Sequence, residues 1–131
     1  MNLQLHPDKP ALSLAAVPGR RRLTLELAKE IELRGYSGIY CPSFGDCMSL
    51  CAGIAIVTDR IKFGTSVAPI YFRTVEDYAQ SASFIHELSK GRFQFGIGVS
   101  HESVLASRGI KGRRPLSATR QFVEKLHAIP R

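Results

Sequence analysis

What most constrains this chain is an alternation. Short apolar runs, too brief for helices, are each followed by a longer segment whose apolar residues recur at helical spacing. Leu12–Val17 is the first run, closed by Pro18 and Gly19. Thr24 is placed to cap a helix over Leu25–Arg34 with a face of Leu27, Ala28 and Ile31, and Gly35 to end it. Gly38–Cys41, stopped by Pro42, is the second run. Asp46 caps a helix that is apolar nearly all round: Cys47, Met48, Leu50, Cys51, Ala52, Ile54 and Ala55. Ile61–Val67 is the third run, ending before Pro69. Thr74, with Asp77 three residues on, opens a third helix carrying Val75, Tyr78, Ala79, Ala82 and Ile85 and closed by Gly91. Phe93–Val99 is the fourth run. Leu116, Phe122, Val123 and Leu126 mark a last helix that closes near Pro130.

Connections of this length exclude hairpins and imply parallel strands with helical crossovers. The expected class is α/β, with about four parallel strands. Two architectures share these local rules: an open doubly wound sheet, and part of a (β/α)8 TIM barrel. Both place ligands at the carboxyl ends of their strands, so the motifs there discriminate. Gly96-x-Gly98 would need a glycine at position 101 to complete a dinucleotide fingerprint, and His101 stands there. No acid lies near position 118 to hold a ribose. The simpler reading of the two glycines is close approach of another group to the strand.

The window Leu88-Ser89-Lys90-Gly91-Arg92-Phe93-x-Phe95-Gly96-Ile97-Gly98 resembles the LSxGRFxxGxG signature of the bacterial luciferase-like family of flavin- or deazaflavin-dependent oxidoreductases. Phe63–Pro69 is similar to that family's third strand, where small residues form a bulge, often with a non-prolyl cis peptide, behind the cofactor ring; Thr65 and Ser66 are the matching pair. The Arg34–Ile39 turn and the helical run from Val75 to Ile85 also fit, and the likeness extends over residues 11–127.

The resemblance implies a luciferase-like TIM barrel, a monooxygenase-like oxidoreductase using FMN or the deazaflavin coenzyme F-420 on a small organic substrate. It also implies cofactor contacts at Thr65, Ser66, Gly98, Ser100 and His101, the last two beside the ribityl chain or phosphate. It names no catalytic side chain. One departure bears on the reaction: the acidic-His stretch that commonly follows the second strand in luciferase-type monooxygenases is here Cys41-Pro42-Ser43-Phe44-Gly45-Asp46, without histidine. That puts light emission in doubt and leaves Asp46 and Cys41 as the reactive groups, each also readable as a helix cap and a core thiol. His86, near the end of the third helix, suits the helix dipole.

Four strand–helix units in 131 residues are half of an eight-stranded barrel. The expectation is therefore one domain over residues 1–131, the N-terminal half of a barrel truncated after the fourth unit. Its open apolar interior and unpaired edges would favour a homo-oligomer or pairing with a missing half. The alternative is a non-catalytic remnant that self-associates or pairs with a full-length relative.

Charge and cysteine content narrow the partners. Eighteen Lys and Arg against eleven Asp and Glu give +7, concentrated in Arg20–Arg22 and in Lys111, Arg113 and Arg114, in stretches that read as surface loops. No nucleic-acid motif accompanies them, and none is expected to bind. Three cysteines within eleven residues suit neither a secreted disulfide framework nor a common zinc spacing, so no metal site is expected and the thiols belong in the core. Met1–Pro10 has no apolar signal region, and no segment approaches the ~20 apolar residues of a membrane span. A cytoplasmic protein without membrane contact is the expectation.

Overall fold

The computed structural model describes residues 8–110 and 114–130. Lys111 and Arg113 of the second basic cluster, and most of the Met1–Pro10 segment, lie outside them. Among the described residues five helices and six strand segments follow in the order β1 (Ala11–Ser13), α1 (Arg21–Leu33), β2 (Gly38–Cys41), α2 (Cys47–Val57), β3 (Lys62–Thr65), β4 (Ala68–Pro69), α3 (Val75–Leu88), β5 (Phe93–Gln94), β6 (Ile97–Gly98), α4 (Glu102–Ser107) and α5 (Pro115–Ala128).

All pairings are parallel. The main sheet runs β1-β2-β3-β5, and β4 pairs with β6. Strand order therefore follows chain order with no reversal, whereas a doubly wound sheet needs a switch point. This is the topology of consecutive barrel staves.

Alternation within the staves decides what each face does. Ile39, Cys41, Phe63 and Phe93 are buried with Ile54, Ile61, Tyr78 and Ile85 in one core between sheet and helices. Ser13, Tyr40, Lys62 and Gln94 occupy the opposite face, where the Tyr40 hydroxyl donates to the Gln94 side-chain oxygen at 2.5 Å. The expected open apolar interior is thus corrected: that face is polar, because the residues alternating with the core positions are Ser, Tyr, Lys and Gln.

Several expected boundaries also move. β1 ends at Ser13, although Leu14 N–H still reaches the Tyr40 carbonyl at 3.3 Å. α1 begins four residues before Leu25, so Arg21 and Arg22 belong to its first turn and not to a loop. Thr24 is not its cap: the hydroxyl donates to the Arg20 carbonyl one turn back, at 3.0 Å. Leu27 is largely exposed; Thr24, Ala28, Ile31 and Glu32 form the buried face.

The Asp46 and Thr74 caps stand, with Ser49 N–H donating to Asp46 Oδ1 and Asp77 N–H to Thr74 Oγ1, both at 3.1 Å. Gly53 sits where α2 meets Leu25 of α1; a Cβ there would meet Leu25 Cδ2 at 2.8 Å. The expected last helix stands as α5, and a short helix that was not expected, α4, precedes it. Phe122 is buried as expected, but Leu116 is 86% exposed.

The third and fourth runs are each broken. β3 stops at Thr65, a cis peptide joins Ser66 to Val67, and β4 resumes at Ala68. Pro69 lies inside this second segment and does not end the strand. Ser66 N–H donates to the Cys41 carbonyl at 2.8 Å, then Ala68 N–H and Ile70 N–H donate to Gly96 and Gly98 on the other side. Stave three thus leaves β2 at the break and stays paired with stave four, its register shifted by one residue from Phe63↔Phe93 to Ala68↔Ile97.

Below the sheet, two charges, one buried and one half-buried, fix the α2–β3 loop. The Glu32 carboxylate accepts from the backbone N–H groups of Asp59, Arg60 and Ile61 at 2.8–3.1 Å. Arg92 spends its guanidinium on Ser89 O, Thr58 Oγ1, Ile61 O, Ala55 O and Thr58 O, at 2.8–3.2 Å. It lies over the Phe63 ring, 5.4 Å from its centroid.

Candidate functional site

The carboxyl ends of the staves gather the residues singled out from the sequence, but in different states. Thr65 is buried at 4% exposure and fully engaged: its hydroxyl donates to Gly96 O at 2.7 Å and accepts from Gly96 N–H at 2.9 Å. A side chain thereby bridges the two staves where the backbone ladder breaks. Ser66 is exposed beside it, Ser100 is half-buried and His101 exposed.

Gly98 pairs with Pro69, and the space a Cβ would take there is filled by Val67, whose Cγ2 would lie 2.8 Å away. The same holds at Gly96, where a Cβ would collide with the Thr65 carbonyl oxygen. Both glycines serve close approach of stave three, the simpler of the two readings of Gly96-x-Gly98. The top of these staves is a ledge: Val67 lies against Gly98, with Ser66 just before Val67 in the chain and Ser100 and His101 just after stave four. His101 occupies the N-cap position of α4, its side chain making no cap bond.

Neither of the two reactive groups expected after the second strand is free. Cys41 is fully buried. Asp46 caps α2, accepts from the Ser49 hydroxyl at 2.6 Å and pairs with Arg73 at 2.9 Å. Burial pushes its carboxyl up, but the Ser49 hydrogen bonds and the Arg73 charge outweigh it and hold the group below the ordinary carboxylate range. The cap and core readings are the ones that hold.

All three thiols are buried, and Cys47 is pushed up to about 11, first by burial and then by Cys41 and Asp46. Cys51 moves the same way, through the neighbouring Cys41 thiol and burial. Such thiols are inert as nucleophiles. A thiol reagent such as DTNB is therefore expected to titrate none of them in the folded protein at neutral pH and all three in guanidinium; fast reaction of any one without denaturant would contradict the packing.

The same shift carries a pH dependence. The unfolded chain releases the Cys47 proton near 9.0 and the folded chain near 11, so stability is unaffected below 9.0 and falls as pH rises through that interval.

Sequence reasoning passed over Arg73, Phe72 and Arg108. Arg73 immediately precedes the Thr74 cap and bonds Asp46 across to α2, a placement its position could have suggested; Ser81 Oγ accepts from it at 3.2 Å. Arg108 stacks on the Phe72 ring, 3.8 Å from its centroid. Nothing in the sequence marks that pair. Between the second and third loops they border a cavity of about 240 Å³.

Comparison with known proteins agrees with the topology. Residues 5–131 match the family described as luciferase-like monooxygenase. A 5,10-methylenetetrahydromethanopterin reductase from Methanolobus tindarius is 26% identical over 130 residues, 97% of this chain and 37% of the reductase. Among solved structures, the coenzyme F420 dependent tetrahydromethanopterin reductase of Methanopyrus kandleri superposes with a TM-score of 0.79 at 18% identity, over 91% of this chain and 39% of that one. The oxygenating constituent of 3,6-diketocamphane monooxygenase from Pseudomonas putida, in complex with FMN, gives 0.78 at 14% identity, over 90% and 38%. The chain thus spans well under half the length of each of these relatives. Among the described residues no helix is long and apolar enough to cross a membrane.

Proposed function

The chain belongs to the luciferase-like monooxygenase family, and from that premise we propose that it contributes the first four staves of an oxidoreductase barrel binding a flavin or deazaflavin, FMN or coenzyme F420. The observation that carries this reading is the ledge: an apolar step, Val67 on Gly98, with Ser66 adjacent to Val67 in the chain and Ser100 and His101 two and three residues beyond Gly98, none of the three side chains hydrogen-bonded to another described residue.

A planar redox ring needs an apolar support, and its polyol and phosphate tail needs donors. Both are present here. In this reading Val67 supports the ring, Ser66 donates at its edge, and Ser100 and His101 take the tail. Thr65 acts indirectly, holding the two staves together beneath the ring.

The bound cofactor would supply the redox step on a small organic substrate. The chain's own residues position it, which agrees with the capped and ion-paired state of Asp46. No side chain is assigned a proton transfer.

Titration of FMN and of F420 into the chain, followed by absorbance and by size-exclusion chromatography, tests the reading. Binding of one of them is expected, weakened about 3- to 10-fold by Ser66→Ala or Ser100→Ala, the worth of one hydrogen bond. A well-folded chain that binds neither, or one whose affinity ignores both substitutions, would sink it. The chromatogram also reads whether binding accompanies self-association, as expected if staves must pair to complete a site.

A further inference from the structure

Resting on the reading of the barrel top as a small-molecule site, we propose that Arg108 is a specificity-determining residue that recognises an anionic group, a carboxylate or phosphate, on the substrate. The cavity of about 240 Å³ lies at the carboxyl ends of staves two and three, lined by Ser43, Met48, Pro69, Phe72, Arg73 and Arg108 among others.

Of its two cations, Arg73 is already spent: Asp46 lies at 2.9 Å, Asp77 at 3.7 Å, and Ser81 accepts a further bond. Arg108 has no carboxylate within ion-pair distance among the described residues. Its guanidinium carbon instead lies over the Phe72 ring, 3.8 Å from the centroid. A stacked guanidinium keeps its in-plane N–H donors for a planar or tetrahedral anion, and the aromatic face reduces the rotamer freedom lost on binding.

The backbone beneath Arg108 is anchored. Its N–H donates to Val104 and Leu105 at the end of α4, and Leu105 is buried at 8% exposure. Ser43 adds a hydroxyl with no hydrogen bond to another described residue. Met48, Pro69 and Phe72 provide apolar walls. The cavity therefore suits a small organic acid: an apolar body against these walls, its charge on Arg108.

Arginine's position selects for charge, so the test compares charged and uncharged isosteres. Benzoate, benzamide and inorganic phosphate are titrated into the full chain, followed by amide chemical shifts at Gly45 and Phe72. FMN and riboflavin are titrated in parallel. Wild-type protein is expected to bind benzoate at least about tenfold more tightly than benzamide, with phosphate competing. Arg108→Gln abolishes that preference, and Arg108→Lys retains part of it, leaving FMN affinity unchanged in both.

Equal binding of benzoate and benzamide overturns the proposal, as does a preference that survives Arg108→Gln or an absence of binding by any probe at millimolar concentration. If Arg108→Gln weakens FMN but not riboflavin, the anion recognised is the cofactor's phosphate and the substrate assignment fails. Loss of the cofactor reading shows separately, as wild-type protein that binds no flavin or deazaflavin yet keeps the benzoate preference.

Discussion

Arg92→Ala is expected to destabilise the fold by about 3–5 kcal/mol, the largest loss for any single side chain below the sheet. Five hydrogen bonds disappear together, and the acceptors left behind, the carbonyls of Ala55, Thr58 and Ile61 and the Thr58 hydroxyl, sit in the tight turn from α2 into β3. Arg92→Lys keeps the charge but cannot divide one ammonium among acceptors spread from residue 55 to residue 61, so it should recover less than half the loss.

Glu32 is the other half of this arrangement. It holds the N–H groups of residues 59–61 while Arg92 holds carbonyls of the same turn, so the loop's backbone is satisfied from both sides. Denaturant melts of Arg92→Ala, Glu32→Gln and the double variant measure the coupling. A loss below about 1 kcal/mol for Arg92→Ala would mean that water replaces the guanidinium, and that the turn is not held as described.

What could be read from the sequence, and what could not, divides along the range of the interactions. Parallel α/β alternation, the Asp46 and Thr74 caps and the helix end at Gly91 depend on neighbours three or four residues away, and these were legible. So was the family, because the Leu88–Gly98 window concentrates its signature in eleven residues.

Thr24 misled because the same hydroxyl that caps a helix can bond back to the carbonyl one turn earlier, and propensity does not separate the two. That Arg92 directly follows the end of the third helix was legible. Which carbonyls it would meet was not, since those of Ala55, Thr58 and Ile61 are 31–37 residues away and a carbonyl has no identity in a sequence. The breaks in staves three and four were hidden likewise. Ile61–Val67 and Phe93–Val99 each read as one run, because nothing in the apolar pattern marks the one-residue shift of register between the two staves.

Those breaks concentrate the strongest test of the candidate site in Gly96. A Cβ at this position would collide with the Thr65 carbonyl oxygen, a backbone atom that cannot rotate away. Gly96→Ala should therefore force the two staves apart at the one place where Thr65 bridges them, disrupting both bonds between its hydroxyl and Gly96. The expected cost is about 2–4 kcal/mol, combining overpacking with the loss of hydrogen bonds.

Thr65→Val separates the two contributions. It keeps the shape, removes the bridge and leaves the Gly96 N–H unpaired, while the Gly96 carbonyl keeps the Ala68 N–H, for about 1–3 kcal/mol. If the ledge supports the cofactor ring, both variants should lose flavin or deazaflavin affinity under conditions where they remain folded, and Gly96→Ala should lose more because it displaces Val67 and Gly98 relative to one another. Titrations below the melting point of each variant read this directly. Thr65→Val binding cofactor as wild type would show that the bridge is structural only; Gly96→Ala folding and binding normally would show that the staves do not meet as closely as their glycines indicate.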